Sequence, residues 1–193
     1  MTVHAIMSRG PFDVRYTISG YLKKEMPKWI GLARTQWSLP SEDDLPNPDL
    51  TAIFEHERDA VDRYPQTIVG VSRGALGGRV DHDDVGAEDF RTLYTVRLYT
   101  HVRATGERET LRVRDDYSTV LRWCLTASKT MGNPNFEWLI ETLSEDFSVG
   151  IKVGGDRWVG AVTHSFTCRM DEHNVQAPLG SADLVSISAG ILQ

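Results

Sequence analysis

The alternation of apolar and polar residues over positions 90–103 constrains this chain more than any other feature of its sequence. Even positions are mostly apolar, and odd positions except Leu93 carry basic or hydroxyl groups: Tyr94, Val96, Leu98 and Val102 against Arg91, Thr95, Arg97, Tyr99, His101 and Arg103. Successive side chains of a β-strand point to opposite faces of its sheet, so this pattern predicts one long, half-buried strand. Its outer face is suited to water, to a neighbouring subunit or to an anionic partner.

Charge is distributed unevenly around this strand. The chain has 193 residues and a net charge of −6, which argues against a general nucleic-acid binder. Residues 90–114 hold six arginines, whereas residues 81–89 hold five acids: Asp81, Asp83, Asp84, Glu88 and Asp89. Two interpretations stay open: a solvated acidic loop beside a basic strand, or two complementary surfaces that bring copies of the chain together.

The two cysteines do not form a disulfide framework. Cys124 and Cys168 fall at positions where apolar residues are expected, which predicts buried free thiols and a reducing compartment. The N-terminal residues lack the apolar core of a signal peptide. Apolar runs stay shorter than the roughly 18 residues of a membrane-spanning helix, so we expect neither feature.

The N-terminal half is predicted to contain a helix and a hairpin. Apolar residues at three- and four-residue steps predict a helix over 12–35, which Pro27 should kink or divide. A Pro-rich loop follows over 38–49, and residues 50–55 are compatible with either a strand or a short helix. The β-branched run 67–71 predicts a strand that pairs with the strand at 90–104 across a polar tip at 77–89.

The C-terminal half is predicted to contain two helices and a second hairpin. The helices span 109–128 and 136–143, and the hairpin pairs 147–153 with 158–170 across Gly154-Gly155-Asp156. We therefore predict one α+β domain over 1–193, a mixed or antiparallel sheet of two β-hairpins packed against two or three helices. Its parts are a helical region and Pro-rich loop (1–49), a core (50–170) and a tail (171–193). Alternation over 182–189 suggests that the tail could add a strand to a partner.

Residue patterns for catalysis or metal binding are weak. The loop beginning at Asp81 fails as a calcium loop, because Val85 occupies the fifth position, where an oxygen ligand is required, and Thr92 occupies the twelfth, where a bidentate Glu is required. His164 lies on the apolar side of the last strand, which favours a hydrogen-bonded core histidine over a ligand. We expect no enzyme activity, no cofactor and no metal.

The order of elements resembles the tail terminator proteins of long-tailed bacteriophages, the lambda-type minor tail protein family. Three stretches carry the resemblance and cover about residues 60–170. They are Tyr64-Pro65 with 67–71, then 93–100 leading into a helix around 117–125, and last 145–153 with its Gly-Gly-Asp turn and 158–170.

The resemblance implies a structural protein of the virion neck, assembled in the host cytoplasm. Family members form a hexameric ring that caps the tail tube and docks it onto the head–tail connector proteins, while DNA passes through the lumen without specific binding. No membrane is involved. A head-completion or connector-adaptor protein, a small α/β enzyme with an unrecognised site and a regulatory or ligand-binding domain remain as alternatives.

A subunit or partner interface is expected where the opposite charges lie. Arg91, Arg97 and Arg103 recur at six-residue steps, so they share one side of the strand at intervals of about 20 Å. The candidate interface residues are these arginines and the acids of the loop: Asp81, Asp83, Asp84, Arg91, Arg97 and Arg103.

Overall fold

A computed structural model describes residues 10–48, 53–54, 64–80 and 87–175. These residues form an α+β fold with a six-stranded sheet and two long helices. In chain order the elements are α1 (Pro11–Gln36), β1 (Ile53–Phe54), β2 (Gln66–Val80), β3 (Ala87–Thr105), α2 (Glu107–Thr126), β4 (Phe136–Phe147), β5 (Ile151–Gly154) and β6 (Arg157–Val175). The Pro-rich loop contains a single 3₁₀ turn, Glu42–Asp44, which Ser41 caps.

The sheet is mixed, with strand order β1-β2-β3-β6-β4 and β5 beside β6. β1 runs parallel to β2, which resolves the open choice at 50–55 in favour of a strand, and all other pairs are antiparallel. β3 and β6 pair along their whole length, from Ala87 opposite Val175 to Thr105 opposite Arg157. At about 3.3 Å per residue, this central ladder is about 60 Å long.

The predicted alternation in β3 is confirmed. Tyr94, Val96, Leu98 and Val102 are buried against the helices, whereas the odd-numbered side chains are partly or fully exposed. We call the second side the open face. It consists of the odd-numbered residues from Arg91 to Arg103 and their partners in β6, among them Thr163, Ser165, Thr167 and Arg169.

Both long helices cover the other face of the sheet. α1 buries Val14, Ile18, Leu22, Met26 and Ile30, and it continues through Pro27 without interruption. Of the two predicted effects of Pro27, a kink or a division of the helix, division is therefore excluded. Met26 and Ile30 flank the proline and lie on the same buried stripe, so their burial favours one continuous helix despite the missing N–H.

Residues 136–143, predicted to be a short helix, belong instead to β4. Phe136 and Trp138 alternate with more exposed neighbours and pair with Met170 and Cys168 of β6. The apolar residues of this segment also fit the spacing of a helix. It forms a strand because β6 offers an edge with which it pairs. A large bulge follows Leu139, where the Thr142 hydroxyl accepts a hydrogen bond from the Thr167 N–H (2.8 Å).

The first hairpin is longer than predicted. Its polar tip was placed at 77–89, but β2 continues to Val80 and β3 already begins at Ala87. Two irregularities in register, at 71–73 and at 76–78, accommodate the glycine-rich segment without ending the ladder. β6 likewise continues to Val175, into the first residues of the predicted tail.

The second hairpin is present, but its first strand is shorter than predicted. β5 begins only at Ile151, because β4 ends at Phe147 and the chain between them does not pair regularly. Arg157 follows the Gly154-Gly155-Asp156 turn, as the sequence predicts. The apolar residues Val149, Ile151 and Val153 are exposed rather than packed in the core.

Candidate interaction surface

The three predicted interface arginines all lie on the open face of the sheet. Each of them has a different environment. Arg91 is already paired within the chain. Its Nε lies 2.8 Å from Asp171 Oδ1 and its Nη2 lies 3.3 Å from Oδ2. Hydrogen bonding to Asp171 raises the pKa of Arg91 further above its ordinary value. Arg91 is therefore a less available contact than the sequence suggested.

Asp171 is a residue of this surface that the sequence analysis missed. It lies directly opposite Arg91 in the β3–β6 ladder. The alternation of β6 continues from Arg169 to Asp171, and this continuation indicates that Asp171 belongs to the same face. The predicted tail began at residue 171, so Asp171 was not assigned to the strand.

Arg103 and Arg97 differ in what they contact. The Arg103 guanidinium lies over the Tyr64 ring, 4.6 Å from its centroid, in a cation–π contact. Arg97 is exposed between Gly70 and Ser165, and within the described ranges it makes no hydrogen bond, ion pair or ring contact. Arg97 is thus the arginine of the predicted set whose charge is open to an external acid.

Hydroxyl groups surround Arg97. Thr95, Tyr99, Ser165 and Thr167 share the open face with it and are all partly exposed. The Tyr99 ring lies across Gly70, where a Cβ would come within 3.3 Å of it. This composition supplies hydrogen-bond donors and acceptors around one cation, which suits a polar protein interface.

The acidic half of the predicted interface lies outside the described residues. This holds for Asp81, Asp83 and Asp84, so their pairing with the arginines of another copy stays a prediction. The neighbouring acids Glu88 and Asp89 belong to β3 by their backbone.

At one end of the open face, Gln66 is buried and His101 is partly exposed, and both have buried polar atoms without partners among the described residues. Gln66 lies opposite His101 in the β2–β3 ladder. Both amide atoms of Gln66 and Nδ1 of His101 lack a hydrogen bond in the described part of the chain. Desolvation lowers the pKa of His101, so the imidazole is held neutral. The sequence analysis did not identify Gln66, because its burial depends on tertiary packing.

Ser118, His164 and Glu145 form a buried cluster with the residue types of a hydrolase triad. His164 Nε2 lies 3.2 Å from Ser118 Oγ and 3.4 Å from Glu145 Oε1, and Arg122 Nε lies 2.9 Å from the same carboxylate oxygen. A triad requires the acid on the second imidazole nitrogen and an accessible nucleophile. Here serine and acid approach the same nitrogen, and Ser118 and His164 are at most 1% exposed.

The three side chains therefore form a buried polar cluster within the core. Burial lowers the pKa of His164, although the nearby Glu145 carboxylate opposes that shift. The prediction of a hydrogen-bonded core histidine at position 164 is confirmed.

Both cysteines are buried free thiols, as predicted. Burial raises the pKa of Cys124 and of Cys168 to about 12, which suppresses the thiolate at neutral pH. Neither residue has the electropositive, accessible setting of a reactive cysteine.

Replacement of Cys124 or Cys168 by Ala is expected to lower the free energy of unfolding by about 1–2 kcal/mol through lost packing. The native protein should react with a thiol reagent only as fast as it opens, whereas urea-unfolded protein should react at once. Rapid labelling of native protein would contradict a structural role.

A shallow cleft of about 700 Å³ lies between α1 and residues 127–133. Tyr16, Tyr21 and Trp29 line it, and its two charged residues, Lys24 and Glu25, lie 3.9 Å apart. The Tyr21 hydroxyl is paired within the chain, since it donates to the Cys124 carbonyl oxygen (2.8 Å). Tyr21, Lys24 and Glu25 are thus engaged with groups of the chain itself, unlike the free converging groups of a typical ligand site.

The described ranges contain no group of three or more His, Cys, Asp or Glu side chains that could hold a metal ion. Neither helix has the length and apolar character needed to cross a membrane.

No family model matches this sequence, and no curated protein matches it.

Proposed function

We propose that this protein is a structural, ring-forming subunit of a phage neck: a tail terminator that caps the tail tube and joins it to the head–tail connector. The open face of the sheet carries the proposal. Two helices cover one side of the sheet, while the other presents Arg97 among hydroxyl groups. A sheet side of this composition is suited to contact with another subunit.

The geometry of the strands supports assembly into a ring. The β3–β6 ladder is about 60 Å long, long enough to extend beyond the helices and reach a neighbour. A contact between two different surfaces of the same chain generates a closed ring when its rotation closes. In the proposed hexamer, the acids at Asp81, Asp83 and Asp84 of one copy face Arg97 of the next.

The remaining parts of the proposal come from the resemblance to tail terminators over about residues 60–170. They are location in the virion, assembly in the host cytoplasm, and passage of DNA through the lumen. The net charge of −6 agrees with a lumen that lets DNA pass without holding it.

Charge reversal at Arg97 tests the open face. Arg97→Glu is expected to weaken ring formation or docking onto purified tail tubes about tenfold at low salt, because it places like charges at the contact. The difference from wild type should shrink at high salt, where exposed charges are screened. Sedimentation of both proteins with tail tubes at two salt concentrations measures this.

Arg108→Glu provides the matched control, because it makes the same charge change at an exposed residue of α2. It should assemble like wild type. Equal assembly of the Arg97→Glu variant at both salt concentrations would leave the open face as a solvated surface. Binding to connector rings but not to tail tubes would identify a connector adaptor instead.

A further inference from the structure

An apolar strip lies exposed at one corner of the sheet. Val149, Ile151 and Val153 alternate along the chain and are 75%, 65% and 57% exposed. Ile151 lies opposite Val159, which lies opposite Arg103, so the strip is continuous with the open face. Among the described strands, β5 pairs only with β6, which leaves its other edge without a neighbour.

This corner is held firmly in place. Gly150 is buried, and a Cβ at this position would be in van der Waals contact with the Trp158 ring (3.6 Å) and with Leu111 (3.7 Å). Arg114 donates a hydrogen bond to the Ser148 carbonyl oxygen, and the Gly106 N–H donates to the Asp156 oxygen (2.7 Å). The apolar side chains are therefore presented on an anchored segment.

Native edge strands are usually protected by charge, proline or a covering segment, because an open edge invites another strand. β5 is protected only by its length of four residues and by one charged residue, Lys152; it has no proline. An anchored, apolar and open edge is the arrangement that accepts an added strand, through main-chain hydrogen bonds and alternate side-chain contacts.

The chain contains a segment with matching chemistry. Residues 184–192 lie beyond β6 and have apolar side chains at every second position: Val185, Ile187, Ala189 and Ile191. The one charged residue next to this segment is Asp183, opposite in sign to Lys152.

The segment is too short to reach β5 of its own chain. β6 ends at Val175, 16 residues from Val159, the partner of Ile151. That separation is about 50 Å along the strand. The eight residues 176–183 span at most about 29 Å when fully extended. A neighbouring copy is not subject to this limit.

We propose that the edge of β5, with Val149, Ile151 and Val153, binds residues 184–192 of a second copy of this chain by strand addition. Donor and acceptor surfaces differ, so the contact runs head to tail and links successive subunits of a ring. This inference rests on the self-assembly part of the proposed function and supplies a specific contact for it.

Cross-linking between full-length single variants tests the contact. Lys152→Cys protein is mixed with Ser186→Cys protein and treated with a short bismaleimide, and the joined peptides are identified by mass spectrometry. These positions leave the apolar contacts intact, and both native thiols are buried. Lys24→Cys replaces Lys152→Cys in the control, because that α1 side chain is 75% exposed.

We expect a cross-link between positions 152 and 186 of different copies, at least tenfold above the Lys24→Cys control. Adding Ile151→Asp to the Lys152→Cys protein should reduce it to the control level. A yield equal to the control overturns the proposal. So does a double variant, Lys152→Cys with Ser186→Cys, that links only within single chains at high dilution.

The mass of wild-type protein in solution separates this inference from the proposed function. A ring that forms without the 152–186 cross-link overturns the strand-addition contact alone. A protein that stays monomeric at every concentration, free and with tail tubes, overturns both.

Discussion

Replacement of Trp138 by Ala is expected to lower the free energy of unfolding by about 3–5 kcal/mol, one of the largest single-residue effects in this chain. Trp138 is 1% exposed on β4, and its ring meets Phe166 edge-on at 5.5 Å between centroids. Its indole N–H donates to the Ser128 carbonyl oxygen (3.1 Å). The substitution creates a large cavity and leaves that carbonyl without its donor.

Urea unfolding of both proteins measures this loss, and Ile140→Ala is the matched control. Ile140 lies two residues further along β4 and is 44% exposed, so its truncation should cost less than about 1 kcal/mol. Equal effects of the two substitutions would contradict the assignment of residues 136–143 to a strand with Trp138 inside. A helix in this segment would bury a different set of side chains.

The stability of the protein is expected to fall as the pH is lowered from 7.5 to 5. Burial lowers the pKa of His164 and of His101 in the folded state, whereas an unfolded histidine has a pKa of about 6.5. Between the folded and unfolded pKa values, the unfolded chain binds more protons, so acid favours unfolding. The contribution of the two neutral histidines to the free energy of unfolding is fully present above pH 6.5. As the pH is lowered, this contribution declines until the pH falls below the pKa of the folded state.

Each histidine contributes a slope of up to about 1.4 kcal/mol per pH unit within that window. Around His164 the charged groups are Glu145 from β4 and Arg122 from α2, with the neutral Ser118 beside it. Urea unfolding of wild type and of His164→Asn between pH 5 and pH 8 isolates its share. The variant should be less stable at pH 7.5 and lose stability less steeply; parallel curves would contradict a neutral buried His164.

The sequence predicted correctly those elements whose signal is local. The period of two in β3 identifies both the buried side and the open face, and the same period in β6 places His164 and Cys168 inside. The helix predicted over 109–128 is present as α2, which buries Val113, Tyr117, Val120 and Leu121 at helical steps. In each case one period fits the segment, so the pattern of burial follows from neighbours along the chain.

Where the apolar spacing of a segment fits both a helix and a strand, the tertiary structure decided which of the two forms. Phe136, Trp138, Leu139 and Leu143 satisfy both a helix and a strand, and pairing with β6 selects the strand. Pro27 was predicted to kink or divide the helix, and with a buried stripe on either side of it the helix stays undivided. Such choices depend on partners distant in sequence, which local propensity does not contain.

For the open face too, the sequence predicted some features and the tertiary structure decided others. That Arg91, Arg97 and Arg103 share one side of a strand follows from their spacing alone. Register and packing decided that Asp171 neutralises Arg91, that Tyr64 stacks against Arg103 and that Arg97 stays open to an external partner. Alternation specifies the side to which a residue points, whereas the groups that meet it there are brought together by pairing between strands far apart in the chain.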